Sequence, residues 1–227
     1  MLLSFAPPDF DMKTDSADPS APGLVLGSTS PYRRELLQRL RLPFEVVASQ
    51  VDETRQPEES AESLSLRLAR AKAEAVAAGL SDRDVIVIGS DQVADLDGEP
   101  IGKPGTHERA VAQLRRLSGR AVQFHTAVAV IRRSTGFAEV RHRVVNVRFR
   151  VLRDDEIETY LRLETPYDCA GSAKCETLGI ALLESIDSDD PTTLIGLPLI
   201  VTAELLRQAG LDPLRCVRGE PVAGAGA

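Results

Sequence analysis

The fold of this chain is limited first by an unbroken run of β-branched residues, Val85-Ile86-Val87-Ile88. Such a run is typical of a central strand that is buried on both faces, as in α/β proteins whose helices cover both sides of a sheet. The run leads directly into Gly89-Ser90-Asp91-Gln92. We therefore expect Asp91 to lie just beyond the carboxyl end of this strand, where open α/β sheets place their ligand crevices.

A second apolar run, Leu24-Val25-Leu26, leads through small residues into an amphipathic helix. Ser30 suits the N-cap, and Pro31 suits the first helical position, where an N–H group has no partner to lose. The unpaired N–H groups and the helix dipole favour an anion at this point, and the guanidinium groups of Arg33 and Arg34 match phosphate oxygens. The pattern predicts a phosphate site, but it also suits a capped helix with two solvated arginines.

The rest of the chain alternates between helical and strand patterns without an internal repeat. Helices are predicted at residues 64–79, 106–117, 154–163 and 197–209, and strands at 44–47, 122–130 and 145–151. The last two strands flank Ser134-Thr135-Gly136, which predicts a long antiparallel hairpin. Together with the parallel type of strand, this hairpin predicts an α/β fold with a mixed sheet.

Composition narrows the class of protein. The net charge of −7 argues against a broad nucleic-acid surface, and no apolar run is long enough to span a membrane. The three cysteines are odd in number and lack a CxxC spacing, so neither a disulfide framework nor a zinc site is indicated. We expect a cytoplasmic protein with a flexible extension at residues 1–23, a folded body at 24–218 and a flexible tail at 219–227.

Several polar residues could carry chemistry, and each has an ordinary structural alternative. Asp91 could deprotonate water or hold a divalent metal, or it could be a turn aspartate that bonds its own backbone. Glu53 lies in a polar loop and could simply be solvated. Lys72 could be an exposed helix lysine. Lys103 stands between Gly and Pro on a stiff backbone that suits a phosphate contact or a surface turn.

The histidines and cysteines give weaker signals. His107, His125 and His142 are dispersed, and no catalytic or metal-binding spacing can be argued from them. Cys175 is better explained as a small buried residue than as a nucleophile.

Taken in order, these segments resemble the Maf family of nucleotide pyrophosphatases. The resemblance spans roughly residues 24–211. It is carried by Ser28-Thr29-Ser30-Pro31-Tyr32-Arg33-Arg34, Val51-Asp52-Glu53, Arg67-Leu68-Ala69 with Lys72-Ala73, Ser90-Asp91-Gln92, Gly102-Lys103-Pro104, Ala170-Gly171-Ser172 with Lys174 and Glu176, and Leu194-Ile195-Gly196-Leu197-Pro198-Leu199. Seven segments in register are a specific signal. Asp91-Gln92 and the Gly-Ser-x-Lys-x-Glu segment resemble the branch that acts on 7-methyl-GTP.

The resemblance implies a mixed, twisted sheet in two lobes around a deep nucleotide-binding cleft. It also implies hydrolysis of a nucleoside triphosphate to a monophosphate and pyrophosphate with a divalent metal, Mg²⁺ or Mn²⁺, and a homodimer. Asp91 would accept the proton and bind the metal with Glu53. The implied residues for substrate choice are Tyr32, Gln92 and Glu176, and those for the triphosphate are Ser28, Arg33, Arg34, Lys72 and Lys103.

Residue chemistry supports this branch. The Tyr32 ring offers a π face to a cationic methylated guanine, and Glu176 could accept hydrogen bonds from the two donors of the guanine edge. Two alternatives remain open. One is the same chemistry on dTTP, UTP or a broader set of modified nucleotides. The other is a nucleotide-binding regulator of cell division with little turnover.

Overall fold

Residues 22–216 are described by a computed structural model, and within them seven strands alternate with six α-helices. The strands are β1 Gly23–Leu26, β2 Glu45–Val46, β3 Val85–Leu96, β4 Glu99–Ile101, β5 Ala121–Arg132, β6 Phe137–Phe149 and β7 Leu183–Asp187. The helices are α1 Pro31–Gln38, α2 Ala61–Gly79, α3 His107–Leu117, α4 Asp154–Glu164, α5 Leu199–Gln208 and α6 Pro213–Cys216.

All seven strands form one mixed sheet. Six of them follow the order β2-β1-β3-β5-β6-β7, and the seventh, β4, pairs with β3 outside this order. The short β1 is parallel to both β2 and β3, whereas β3, β5, β6 and β7 pair antiparallel. The predicted hairpin is confirmed, since β5 and β6 pair along their full lengths around a turn at Gly136, whose φ is 73°. The α/β class and the mixed sheet are therefore confirmed.

The central strand β3 is longer than its apolar run. Val85 to Ile88 are buried as predicted, but the strand continues through Asp91 to Leu96. Asp91 pairs with Ala127 of β5, so the expectation that it lies beyond the end of the strand is wrong. The physical reason is the antiparallel neighbour, because β5 offers hydrogen bonds to a Gly-Ser-Asp segment that would otherwise favour a turn.

Helix α2 packs closely on β3 at Gly89. A Cβ atom at this position would stand 2.6 Å from the backbone nitrogen of Ala73 and closer still to the carbonyl oxygen of Ala69. Only glycine leaves room for this approach of helix to strand. The close packing brings the inner face of α2, including Lys72, against the Asp91 segment of β3.

The long strands β3, β5 and β6 carry separate apolar cores at their two ends. One core includes Leu114, Phe124, Phe149, Tyr160 and Leu161, and packs β5 and β6 against α3 and α4. The cores at the other end pack β1 and β3 against α1, α2 and α5, and include Leu26, Leu37, Ala73, Val87 and Leu205. Apolar cores at both ends of one sheet give the two-lobed arrangement that the resemblance implies.

Several boundaries differ slightly from the sequence predictions. The helix predicted at 197–209 corresponds to α5, and a short helix that was not predicted, α6, follows it. Gly23, assigned to the extension, is the first residue of β1, while the rest of the predicted extension up to residue 21 and the tail at 219–227 lie outside the described residues. No helix in the described part of the chain is long and apolar enough to cross a membrane.

Candidate functional site

A cleft of about 680 Å³ opens between the two lobes. Its walls come from the β1–α1 connection, the polar loop before α2, the middle of β3, the segment after β4 and two later loops. It gathers nine of the ten residues that the sequence singles out: Ser28, Tyr32, Arg33, Glu53, Lys72, Asp91, Gln92, Lys103 and Glu176. The tenth, Arg34, is exposed on α1 and is not among the lining residues.

The centre of the cleft is a charged group of three residues around Lys72. The Lys72 ammonium lies 2.7 Å from Oδ1 of Asp91 and 2.7 Å from Oε1 of Glu53. The Lys72 side chain is only 6% exposed, and the Asp91 side chain 10%. A buried ammonium between two carboxylates is held in one place, so the positions of both acids are fixed relative to the helix that carries the lysine.

The surrounding charges favour the ionised form of Glu53. Burial alone would raise the pKa of Glu53, but the hydrogen bond from Lys72 and the nearby charges of Lys103 and Arg33 bring it below its usual value. Burial disfavours the charged form of Arg33 too and lowers its pKa. The negative charges of Asp91 and Glu53 act in the opposite direction and raise it. The cleft therefore holds acidic and basic groups that stabilise each other's charge.

The start of α1 forms the wall next to this group. Ser30 is the N-cap, and its Oγ accepts a hydrogen bond from the backbone N–H of Arg33, as the sequence predicts. The Arg33 side chain donates from Nη1 to the buried Ser28 hydroxyl, at 3.3 Å, and from Nε to the carbonyl oxygen of Gly196, at 2.9 Å. These bonds fix the guanidinium beside the helix start, where the dipole favours an anion.

Gln92 connects the cleft to the loop at residues 192–197. Its side-chain nitrogen donates to Oγ1 of Thr126 and to the carbonyl oxygens of Thr193 and Leu194, at 2.9 to 3.1 Å. Because the amide nitrogen is committed in this way, Oε1 is the atom of Gln92 that is left to accept from a ligand. The amide thus supports one wall of the cleft as well as lining it.

Tyr32 forms part of a polar corner at the far side of the cleft. Its hydroxyl donates to Oδ1 of Asp168 at 3.4 Å and lies 3.6 Å from the Cys169 sulfur. Burial, followed by the contact with Cys169, raises the pKa of the phenol well above its usual range, so the ring stays neutral. The Lys174 ammonium lies 5.9 Å from the ring centroid, and Glu176 is exposed on the same loop.

Glu53 and Asp91 are the residues of the cleft that could hold a divalent metal. Each uses one carboxylate oxygen for Lys72, which leaves the second oxygen of each for a cation. Mg²⁺ in nucleotide sites is bound through one or two carboxylates together with phosphate oxygens and water. Two carboxylates at the centre of the cleft fit this donor set.

Two features of the structure were not predicted from the sequence. Asp190 is buried and accepts from Thr192 and from the N–H of Ile200, which ties the loop that Gln92 supports to the start of α5. Asp-Pro-Thr is a turn signal that could have indicated it. The second feature is the pairing of two histidines: His125 and His142, called dispersed above, stack at 5.2 Å with Glu62 close by.

Comparisons with known proteins find relatives that match most of this chain. The sequence profile of the Maf family, described as Maf-like protein, matches residues 23–209. A protein of Polaromonas sp. (strain JS666) named 7-methyl-GTP pyrophosphatase is 62% identical over 202 residues, which are 89% of this chain and 91% of that protein. Its counterpart of the same name in Albidiferax ferrireducens is 59% identical over 198 residues, 87% of this chain and 98% of that protein.

A further relative of that name, from Bordetella pertussis, is 60% identical over 193 residues, 85% of this chain and 95% of its own length. Among solved structures, the alignment with the Staphylococcus aureus Ham1 protein covers 56% of this chain and 71% of the Ham1 chain, with a TM-score of 0.40 and 18% sequence identity. The family profile and the sequence relatives each cover more than four-fifths of the chain. This chain therefore belongs to the Maf family.

Proposed function

We propose that this protein is a nucleoside triphosphate pyrophosphatase that hydrolyses 7-methyl-GTP to 7-methyl-GMP and pyrophosphate. The observation that carries the chemistry is the contact of the buried Lys72 ammonium with the buried Asp91 and the exposed Glu53 at the centre of the cleft. The choice of substrate is supported by relatives at about 60% identity that are named for it. A binding protein would have no use for a positioned carboxylate base, so this group favours turnover over a regulator.

In the proposed reaction Asp91 is the general base. Lys72 holds Oδ1 of Asp91, so Oδ2 would offer one lone pair to a water molecule and its second lone pair to the metal. The water oxygen forms a bond to the α-phosphorus as its proton passes to Asp91. The bond between the α-phosphorus and the oxygen bridging to the β-phosphate breaks, and pyrophosphate leaves with that bridging oxygen.

The basic residues would hold the triphosphate. Arg33 and the N–H groups at the start of α1 lie together on one wall, and the exposed Lys103 also lines the cleft. Arg34 is exposed on α1 and does not line the cleft, so it would act on the triphosphate at longer range. A divalent metal held by Glu53 and Asp91 would neutralise charge on the departing pyrophosphate.

The base would bind between the Tyr32 ring and Glu176. A guanine methylated at N7 carries a positive charge, which the π face of a neutral tyrosine attracts. The Glu176 carboxylate can accept from both donors of the guanine edge, N1–H and the exocyclic amine, and Oε1 of Gln92 offers a further acceptor. Uracil and thymine have no matching pair of donors.

Substrate choice is tested with Glu176→Gln. The change keeps the shape of the side chain but removes its charge and one acceptor. We expect kcat/KM for 7-methyl-GTP to fall about 10- to 100-fold, with a much smaller loss for UTP, because only guanine presents two donors. Pyrophosphate release is measured for both nucleotides with Mg²⁺ and with Mn²⁺.

Glu184→Gln is the matched control, since Glu184 is exposed on β7 and pairs with Arg148 away from the cleft. It should leave both kcat/KM values unchanged. Equal losses on both substrates in Glu176→Gln would contradict the base assignment. A wild-type preference for UTP or dTTP would favour the other branch of the family.

We also propose that the protein is cytoplasmic. Cys169, Cys175 and Cys216 are free thiols, which suits the reducing environment of the cytoplasm. The homodimer and the lack of a nucleic-acid partner stay predictions.

A further inference from the structure

Two of the three histidines of the chain lie side by side on neighbouring strands. Nδ1 of His125 on β5 is 3.1 Å from Nε2 of His142 on β6, and the rings stack with an interplanar angle of 13°. Glu62, in the first turn of α2, brings Oε1 to 3.8 Å from Nδ1 of His142. One ligand atom from each of the three residues lies within 4.8 Å of the other two.

This cluster is separate from the cleft. His142 pairs with Ala127 across β5, and Ala127 pairs in turn with Asp91 on β3. His142 is therefore two strands away from Asp91, which corresponds to about 10 Å. His125 pairs with Val93, which packs under Leu64 and Leu68 of α2, so apolar side chains stand between the cluster and the cleft.

The two histidines have the spacing that a shared metal ion requires. The His142 side chain is 15% exposed. Two nitrogens bound to one tetrahedral zinc ion lie about 3.3 Å apart, close to the 3.1 Å separation observed.

We propose that His125, His142 and Glu62 form a binding site for a transition-metal ion of the Zn²⁺ class, independent of the catalytic metal. Imidazole nitrogens favour such ions, whereas the two carboxylates of the cleft favour Mg²⁺ or Mn²⁺. Water would complete the coordination on the exposed side, where Glu62 lies. The bound ion would link the first turn of α2 to β5 and β6, and thereby stabilise the helix that carries Lys72.

The test is a titration of the full-length protein with Co²⁺ in excess MgCl₂. Tetrahedral Co²⁺ with nitrogen ligands absorbs visible light strongly, whereas Co²⁺ bound to the oxygen ligands of the cleft does not. We expect one equivalent of Co²⁺ to give this absorption and Zn²⁺ to remove it. A Glu53→Gln/Asp91→Asn double variant, which lacks the cleft ligands, should give the same spectrum.

Three variants locate the site. His142→Gln should abolish the visible band, and Glu62→Gln, at an exposed position, should weaken Co²⁺ binding about tenfold or more. His107→Gln is the matched control, because His107 contacts Tyr167 and Glu158 elsewhere and should bind Co²⁺ like the wild type. Zn²⁺ should raise the Tm of the wild type and of His107→Gln, but not that of His142→Gln.

Two experimental results would contradict the proposed metal site. A wild-type protein with no tetrahedral Co²⁺ band in excess Mg²⁺ would show that the two rings share only a hydrogen bond. A band that survives both His142→Gln and Glu62→Gln would place the metal elsewhere, and either outcome would overturn the proposal. Far-UV circular dichroism of the metal-free variants separates lost binding from lost folding.

Discussion

At the scale of single residues, Lys72 decides the electrostatics of the cleft. A lysine on a helix is ordinarily solvated, but this one is 5% exposed and contacts two carboxylates from different parts of the chain. It lies on the inner face of α2 between Ala69 and Ala73, whose small side chains allow the close approach to β3. The lysine thus positions the proposed base and one metal ligand at the same time.

Asp91→Asn tests the proposed base. The amide keeps the shape and can still accept from Lys72, but it cannot take a proton from water. We expect kcat to fall about 10²- to 10⁴-fold, while the affinity for nucleotide changes little. Single-turnover pyrophosphate release gives the rate, and calorimetric titration gives the affinity.

The control for this change is Asp97→Asn on the same hairpin. Asp97 is exposed at the β3–β4 turn with a φ of 55°, a conformation that asparagine also tolerates. It should retain the wild-type rate. If Asp91→Asn kept a third or more of the wild-type kcat, Asp91 would be removed from the mechanism.

At the scale of elements, the polar loop before α2 is ordered by one glutamate. Glu59 accepts from Nε and Nη2 of Arg67 at 2.6 and 2.9 Å and from the backbone N–H of Gln56 at 3.0 Å. Arg67 also donates to the carbonyl oxygen of Thr54, beside Glu53. Arg67 therefore anchors the loop segment that brings Glu53 to Lys72.

Glu59→Gln should destabilise the fold in a pH-dependent way. The Arg67 hydrogen bond lowers the pKa of Glu59 from its usual 4.5 to about 2 in the folded protein. The stabilisation is therefore complete above the unfolded pKa and is lost as the pH falls through about 2. We expect the variant to lose about 0.5–1 kcal/mol at about pH 7 and less at about pH 3.

Thermal denaturation of both proteins at the two pH values measures this difference. The neighbouring Glu58→Gln is the control, because Glu58 is exposed and should show no difference in Tm at either pH. A constant gap in Tm between wild type and Glu59→Gln down to about pH 3 would mean that the ion pair is not its source.

Gly89→Ala should break the packing of α2 on β3. The added Cβ would meet the helix backbone at Ala69 and Ala73, which cannot move without shifting the whole helix. We expect a loss of about 1–3 kcal/mol or more in urea denaturation. Gly79→Ala, at the exposed end of the same helix with no atom within 4 Å of the new Cβ, should be neutral or stabilising.

At the scale of the whole molecule, Arg132 ties three distant parts of the chain together. Its guanidinium bonds both carboxylate oxygens of Asp84, at 3.0 and 2.7 Å, and the carbonyl oxygen of Ala209 after α5, at 2.9 Å. These contacts join the end of β5 to the start of β3 and to the last turns of the fold. These contacts lie at the start of β3, whereas the cleft is lined by the middle of that strand.

Arg132→Ala should therefore separate stability from activity. We expect a loss of about 1–3 kcal/mol in the free energy of unfolding, since a charged donor and its partners are removed. At temperatures well below Tm, kcat/KM should equal that of the wild type. Arg133→Ala, at an exposed turn position, is the control, and a large change in KM with Arg132→Ala would show coupling between this end of the sheet and the cleft.

Local features of this protein are readable from the order of its residues alone. The N-cap at Ser30 and the hairpin turn at Ser134-Thr135-Gly136 are both present as predicted. These features follow from contacts between residues a few positions apart, so their pattern is visible along the chain. Nine of the residues singled out in the sequence line one cleft. They were singled out because several motifs occur in the right order along the chain, and no single motif would have indicated all of them.

The pairing of strands within the sheet and the packing of helices on it are visible only in the three-dimensional structure. Asp91 lies inside β3 because β5 pairs with it, and Lys72 is buried because α2 packs on Gly89. His125 and His142 meet because the β5–β6 register places them side by side. Such contacts depend on strand register and helix packing over long separations in sequence, and neither is encoded in the local periodicity of one chain.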